Sequence, residues 1–213
     1  MKTNLLTLIL ALVSLTGFSQ KEEYYQAMGE SLAQYATCRS IEDFQALGNK
    51  FNMIAKAEKE EWLPFYYHAQ CYIIMSFMEP SDATKKDAYL DAAEKSITRM
   101  IELAPAEADV YALQAMFFSG RLVVNPMERG QEFGMRSGQA VGQALGIDPT
   151  NPRARMIKIQ NDMGAARFYG KDVKAFCEQA KALLADWDNF KPKSPLHPNW
   201  GKQQVSEIVD SCN

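Results

Sequence analysis

The sequence has few of the residues on which catalytic and metal centres depend. Its 213 residues include only two histidines and four cysteines, and the cysteines are scattered along the chain. The G-x-S-x-G, H-E-x-x-H, C-x-x-C and phosphate-loop motifs are all missing. We therefore predict that the protein is not an enzyme and that it holds no metal ion and no cofactor.

An excess of positive charge is also missing. The chain carries 23 Lys and Arg against 26 Asp and Glu, which gives a formal net charge of −3. Because binding to nucleic acid needs a basic patch, this balance predicts no nucleic-acid partner. The charged fraction of 23% and the aromatic fraction of 11% argue against disorder. The length is sufficient for one domain with a buried core.

The first nineteen residues have the three parts of a secretory signal peptide. Lys2 supplies a positive charge, an apolar run extends from Leu5 to Leu15, and the small residues Gly17 and Ser19 precede a cut before Gln20. The apolar run is too short for a membrane helix, which needs about 20 residues. We predict that residues 1–19 are removed and that residues 20–213 form one exported domain, in the periplasm or outside the cell, without a stable membrane span.

The rest of the sequence has the periodicity of α-helices. Apolar residues recur at intervals of three and four, and runs in which β-branched and polar residues alternate are missing. Capping and helix-breaking residues fall between the apolar stripes, with Ser40 placed as an N-cap and Pro152 placed in a first turn. The predicted helices are 21–37, 41–56, 61–78, 83–103, 107–122, 128–146, 151–168, 171–187 and 201–211.

An internal period groups these helices into pairs. Pro105, Pro149 and Pro192 are separated by 44 and 43 residues, and repetition at 20–50 residues is typical of solenoids. The stretches 92–118 and 140–155 resemble junctions between tetratricopeptide (TPR) repeats, with small residues before a proline and small or aromatic residues after it. The chain resembles an exported bacterial member of this family. The resemblance implies an all-α, TPR-like solenoid of αα-hairpins, with about four helix pairs and a C-terminal capping helix.

The same resemblance implies a function in binding another protein. TPR proteins hold peptides or partner proteins in a groove lined by the first helix of each pair, so we predict a non-enzymatic scaffolding module for another envelope protein or peptide. An ordinary solvated polar face is the competing interpretation of these residues. The predicted partner-binding residues are Gln114, Phe118, Arg121, Asn151, Arg155, Lys158, Asn161 and Asp162.

The alternative function is binding of a small ligand or a glycan by the aromatic patch at residues 62–72. This run contains five aromatic rings, and such rings can stack on a sugar or clamp a ligand. Their helical spacing favours a place in the core over a ligand site. His68 lies in the same run and is predicted to be a core histidine, whereas His197 lies in a proline-rich loop. The five rings are Trp62, Phe65, Tyr66, Tyr67 and Tyr72.

Glycine recurs at every fourth position from Gly130 to Gly146. Five glycines inside a helix cost about 4–5 kcal/mol relative to alanine. We therefore predict that a neighbouring helix packs closely against this stripe and offsets the cost. On this hypothesis Gly138→Leu destabilises the protein by overpacking. A binding surface for the flat face of a partner is the alternative.

Cys177 and Cys212 are predicted to form a disulfide. If the last two helices are antiparallel, the cysteines lie ten and eleven residues from the connection, at similar heights of about 15 and 16.5 Å along the axes. Export to an oxidising compartment favours the bridge, and two reduced thiols are the alternative. Cys38 and Cys71 lie at different heights in the predicted hairpins, so we do not expect them to pair.

Overall fold

Residues 21–212 are the part of the chain that the computed structural model describes, and they are helical with no strand. The prediction of an all-α protein is confirmed. The predicted signal peptide, residues 1–19, lies outside the described residues. The helices are α1 (21–35), α2 (Ile41–Ala57), α3 (Trp62–Met78), α4 (Ala83–Leu103), α5 (Ala108–Val124), α6 (Pro126–Ile147), α7 (Pro152–Phe168), α8 (Lys174–Asp186) and α9 (Lys202–Asp210), with a 3₁₀ turn at Trp187–Asn189.

Local sequence signals set the helix ends. Ser40 caps α2 in a capping box with Asp43, as its position in the sequence predicts. Asn151 caps α7 and Pro152 occupies its first turn. Gly170 ends α7 in the left-handed conformation, at φ +65°, and the backbone N–H of Lys171 returns to the carbonyl of Ala166. Because of this turn, α8 begins three residues later than the sequence predicted.

Each helix from α2 to α9 packs against the next one along the chain. In addition, α3 contacts α5, and α5 contacts α7, so α5 lies at the centre of the assembly. The buried residues of α3 and α5 cover most of their circumference, which explains why these two helices have weak amphipathic patterns. None of the described helices is both long and apolar enough to cross a membrane.

The described residues form two apolar cores. The first core lies among α1 to α5 and contains six buried aromatic side chains, namely Tyr24, Phe44, Phe51, Tyr66, Tyr67 and Phe117. The second core lies among α5 to α9 and contains six buried alanines, namely Ala112, Ala115, Ala140, Ala144, Ala154 and Ala180. Trp187 is the only buried aromatic ring that the second core contains among the described residues.

A disulfide joins the two predicted cysteines at the edge of the second core. Cys177 of α8 and Cys212, two residues beyond the end of α9, are bonded with a Cα–Cα distance of 5.9 Å. The bridge fixes the short α9 against α8. Cys38 and Cys71 are both buried in the first core and are free thiols.

The prediction for the glycine stripe of α6 is wrong. A Cβ atom placed on Gly130, Gly138, Gly142 or Gly146 would have no neighbour within 4 Å, and one on Gly134 would make only an ordinary contact with Leu122. The face of α6 that packs inward consists instead of Ser137, Ala140, Val141 and Ala144. The glycines lie beside this face, and most of them are exposed to solvent. No helix approaches them closely.

Candidate ligand site

A cleft of about 460 Å³ lies where the N-terminal ends of α5 and α7 meet the C-terminal part of the chain. Residues 106–109 and 150–153 line two sides of it. Residues 187–199 line the third side and belong to a segment without long helices that connects α8 to α9. We call residues 187–201 the C-terminal strap.

Two hydrogen bonds hold the C-terminal strap against the first core. The hydroxyl of Tyr67 donates to the carbonyl oxygen of Leu196 at 2.8 Å. The indole N–H of Trp200 donates to the hydroxyl of Tyr66, also at 2.8 Å. The side chain of Leu196 is itself part of the first core. These bonds join the strap to α3, which lies about 130 residues earlier in the sequence.

The strap is also fixed at its end and at its middle. Gly201 has φ +119°, and a Cβ at this position would lie 2.6 Å from the ring of Trp187, so only glycine fits there. At the middle, the ammonium group of Lys193 contacts both carboxylate oxygens of Glu107 at 2.6 and 2.8 Å. The side of the cleft that the strap forms is thus anchored at several points.

A buried ion pair lies at the base of the cleft. The carboxylate of Asp109 accepts two hydrogen bonds from Arg153, at 2.6 and 3.1 Å, and one from the side-chain amide of Asn151, at 2.8 Å. Asp109 and Arg153 are each only 8% exposed. Burial by itself lowers the pKa of Arg153, but the charge and hydrogen bonds of Asp109 outweigh burial and raise this pKa. Arg153 therefore stays charged, and its hydrogen bonds to Asp109 join α5 to α7.

His197 lies on the strap and lines the cleft. Its Nδ1 is 2.7 Å from the hydroxyl oxygen of Ser194, and its ring lies edge-on to Trp62, with centroids 5.7 Å apart. Burial is the main cause that lowers the pKa of His197; Lys193 and Arg153 lower it further, while Glu107 and Asp109 partly oppose them. The imidazole is therefore neutral at neutral pH.

The aromatic patch at residues 62–72 is largely part of the first core. Tyr66 is fully buried and Tyr67 is 4% exposed. Trp62, Phe65 and Tyr72 are partly buried and pack against the same core. The core interpretation of these rings agrees with the structure.

His68 is a buried core histidine, as predicted. Its Nδ1 lies 2.8 Å from the hydroxyl of Ser96, and its ring lies 4.7 Å from that of Tyr72. Burial, with a smaller contribution from Lys56, lowers the pKa of His68 to about 4. Neither ring nitrogen of His68 belongs to the cleft.

The structure does not bring the eight predicted partner-binding residues together on one open face. Arg121 turns toward α4, where it contacts Asp87, Asp91 and Glu94. Asn151 is buried at the cap of α7.

The remaining predicted residues separate further. The side-chain amide of Asn161 bonds to hydroxyls of α5 and α6. Arg155 lies over the ring of Phe190, at 5.8 Å. Lys158 and Asp162 pair with each other on the surface of α7. Gln114 and Phe118 are half-buried. Most of these side chains thus engage neighbours within the protein, which sequence spacing alone does not reveal.

A second, more open cavity of about 470 Å³ lies between α4 and α6, over the end of α5. Arg121 and Arg129 both bind Asp87 there, and Arg136 lies over the ring of Phe133. The three arginines face three carboxylates from α4, so positive charge in this cavity is already neutralised. No group of three His, Cys, Asp or Glu side chains in residues 21–212 is arranged to hold a metal ion.

Comparison with known proteins gives one structural likeness. No protein-family model matches the chain, and no curated protein matches it. Among solved structures, the chain is similar to the HusA haemophore from Porphyromonas gingivalis. The two chains have 26% identical residues and a TM-score of 0.78, and the similarity covers 89% of this chain and 92% of that chain. The helical architecture described above is therefore shared with the haemophore over nearly its whole length.

Proposed function

We propose that this protein is an exported, non-enzymatic carrier that binds haem or a closely related porphyrin. The observation that carries the proposal is the likeness to the HusA haemophore, which extends over 89% of this chain. A haemophore is a protein that carries haem, and it works outside the cytoplasm. The predicted signal peptide at residues 1–19 gives independent support for export to the periplasm or the cell exterior.

The likeness favours the small-ligand alternative over a scaffold for another envelope protein. It does not favour the aromatic patch as the place of binding, because those rings fill the first core. We assign the ligand to the cleft instead. Its volume of about 460 Å³ falls within the range of roughly 300–1,000 Å³ that is usual for small-molecule sites.

The cleft lining offers an aromatic ring and a cation to a ligand that carries carboxylates. Phe190 is partly exposed there and can provide apolar contact, whereas Trp187 is buried in the second core. Lys191 is exposed at the rim and can pair with a propionate group of haem. Lys193 is already bound by Glu107.

We also propose that the helices form a TPR-like solenoid. The contacts of α3 with α5 and of α5 with α7 support this arrangement, because stacked helix pairs place alternate helices side by side. In such a stack the N-terminal ends of α5 and α7 share one edge of the molecule. The cleft lies at that edge.

Titration of residues 20–213 with ferric haemin tests the carrier function. We expect saturable binding with a change in the Soret absorption band. Lys191→Glu is expected to weaken haemin binding about tenfold, which corresponds to about 1.4 kcal/mol. Absence of saturable binding by the parent protein contradicts the proposal.

A matched control separates the cleft from the general charge of the protein. Lys95→Glu makes the same charge change at an exposed position outside the cleft lining. This control should bind haemin as the parent does. If both variants lose the same affinity, the effect arises from net charge and the assignment to the cleft is wrong. Circular dichroism of each variant verifies that the helices are retained.

A further inference from the structure

Two neighbouring aromatic side chains are exposed where α7 ends. Phe168 is 63% exposed and Tyr169 is 70% exposed, and their rings contact each other with centroids 5.2 Å apart. Neither ring is part of either apolar core. Every residue from 167 to 172 is exposed, and we call this segment the aromatic turn. Scattered apolar side chains are common on protein surfaces, whereas adjacent large ones mark contact sites for proteins or membranes.

The backbone of the aromatic turn is hydrogen-bonded within the chain. The N–H groups of residues 169, 170 and 171 donate to carbonyl oxygens in the last turn of α7. Gly170, at φ +65°, makes this closed arrangement possible. Because these N–H groups already have acceptors, the turn can enter a region that is poor in water without leaving them unpaired.

Cations flank the two rings in the sequence. Arg167 precedes them, Lys171 and Lys174 follow them, and all three are exposed. The ammonium group of Lys171 lies 5.9 Å from the ring centroid of Tyr169. Asp172 is the only carboxylate in residues 167–174, and it accepts a hydrogen bond from the backbone N–H of Lys174. The segment is thus locally basic, although the whole chain has a formal net charge of −3.

We propose that the aromatic turn docks on the surface of an anionic lipid bilayer. Phe168 and Tyr169 enter the interfacial layer, in which amphipathic aromatic rings are favoured. The flanking cations attract the negatively charged headgroups. Charge also favours lipid over a second copy of this chain, because symmetric pairing of two such turns would bring like charges together. This inference does not depend on the proposed haem-carrying function.

Co-sedimentation of residues 20–213 with lipid vesicles tests the proposal. The parent protein should bind vesicles of phosphatidylcholine mixed with phosphatidylglycerol at least about tenfold more tightly than vesicles of phosphatidylcholine alone. High salt should remove most of this difference, since it screens the attraction between exposed charges. Phe168→Ala combined with Tyr169→Ala should weaken binding to the anionic vesicles at least about tenfold, because binding scales with the apolar area that enters the interface.

A second measurement reports on contact with the lipid itself. In Phe168→Trp, brominated lipid in the anionic vesicles should quench the fluorescence of the added tryptophan, because its ring lies at the level of the interface. The parent's own tryptophans provide the background. Vesicle binding without quenching of the added tryptophan would overturn the proposal, since the protein would then use another surface.

Matched variants separate the aromatic turn from general properties of the protein. Tyr25→Ala combined with Phe77→Ala removes one exposed tyrosine and one exposed phenylalanine elsewhere on the surface and should bind as the parent does. Lys171→Glu should bind anionic vesicles about fivefold more weakly. Lys95→Glu makes the same charge change at an exposed position outside the turn and should have little effect. Circular dichroism verifies that each variant keeps its helices.

The remaining outcomes each overturn the proposal. Failure of the parent to bind anionic vesicles removes its basis, and equal losses in a turn variant and its matched control would show that general hydrophobicity or net charge causes the binding. Light scattering tests the other occupant. If the parent is a dimer that Phe168→Ala with Tyr169→Ala converts to a monomer, the aromatic turn is a contact between two copies of the chain.

Discussion

The first and second cores differ in the size of the side chains that fill them. Six large aromatic rings are buried in the first core, whereas the second core contains one buried tryptophan and six alanines among its aliphatic residues. Since apolar stabilisation scales with buried area, at roughly 25 cal/mol per Å², a buried residue of the second core contributes less on average. The disulfide lies in the second core, and the two buried thiols of the first core are not cross-linked. A covalent bond thus stabilises the core with the smaller side chains.

Removal of the disulfide should lower the free energy of unfolding more than any other change considered, and the loss should fall on the second core. Cys177→Ser combined with Cys212→Ser opens a loop of 35 residues, and in the chain-entropy model this lowers the free energy of unfolding by about 4 kcal/mol. Urea denaturation measures the loss, and hydrogen exchange should locate it in α8 and α9. Cys38→Ala is the control, because it removes a thiol but no cross-link. A loss below about 1 kcal/mol in the double variant would contradict the role given to the bridge.

Acid should weaken the first core in a way that depends on His68. Burial lowers its pKa from 6.5 to about 4, so between these values the unfolded chain binds a proton that the folded protein does not. Stability therefore falls as the pH falls from about 6.5 to 4, by roughly 2–3 kcal/mol at most.

Urea denaturation at a series of pH values measures this loss. In His68→Gln the side-chain amide can still bond to Ser96 but cannot titrate, so that variant should lose much of the pH dependence over this range. An identical pH profile in the variant would show that other groups cause the acid sensitivity. Hydrogen exchange at pH 5 should show the loss mainly in α3 and α4, which carry His68 and Ser96.

The hydrogen bond between the strap and the first core should contribute less to the free energy of unfolding. Trp200→Phe removes the hydrogen bond to the buried hydroxyl of Tyr66 and is expected to cost about 1–2 kcal/mol. Tyr66→Phe removes the same bond from the other side. Combining the two variants in a double-mutant cycle isolates the bond, and the second substitution should cost less once the first is made. Strict additivity would mean that the bond does not couple the strap to the first core.

The smallest expected effect is a gain in stability from a substitution on the exposed surface of α6. Gly138→Ala places a Cβ where no neighbour lies within 4 Å and should stabilise α6 by about 0.5–1 kcal/mol, because alanine favours the helix. Gly201→Ala is the opposite case, since φ is +119° and the ring of Trp187 blocks a Cβ. Thermal melting should therefore shift upward for Gly138→Ala and downward for Gly201→Ala. A downward shift for both would show that α6 has a close neighbour after all.

The helices and their caps could be predicted from sequence because local signals determine them. Ser40 and Pro152 occupy the ends that capping rules assign to them. Whether the glycine stripe of α6 is buried or exposed could not be predicted from sequence, because glycine has no side chain whose polarity indicates burial. In α6 the signal was the neighbouring set Ala140, Val141 and Ala144, which follows helical spacing and does pack inward.

The cleft could not be predicted from sequence patterns, for a different reason. Asp109 and Arg153 are 44 residues apart, and Lys193 is 86 residues from its partner Glu107. The 44-residue repeat period relates the positions of Asp109 and Arg153, but it does not reveal that their side chains pair. No sequence periodicity links Lys193 to Glu107. His197 was noticed in its proline-rich loop, but the partners that define its surroundings come from α3 and from the strap's own fold. One available signal was the concentration of proline, tryptophan and histidine in residues 192–200, which is unusual for a simple linker.

The position of Leu196 in the first core has a consequence for how the protein is made. The core that begins with Tyr24 of α1 is completed by Leu196, which lies 172 positions later in the sequence. Because a chain is synthesised from its N-terminus, the aromatic side chains of α3 lack their last neighbours until the strap has been synthesised. Such contacts between distant parts of the sequence slow the closing step of folding. The first core would therefore stay incomplete in a nascent chain until residue 196 has been added.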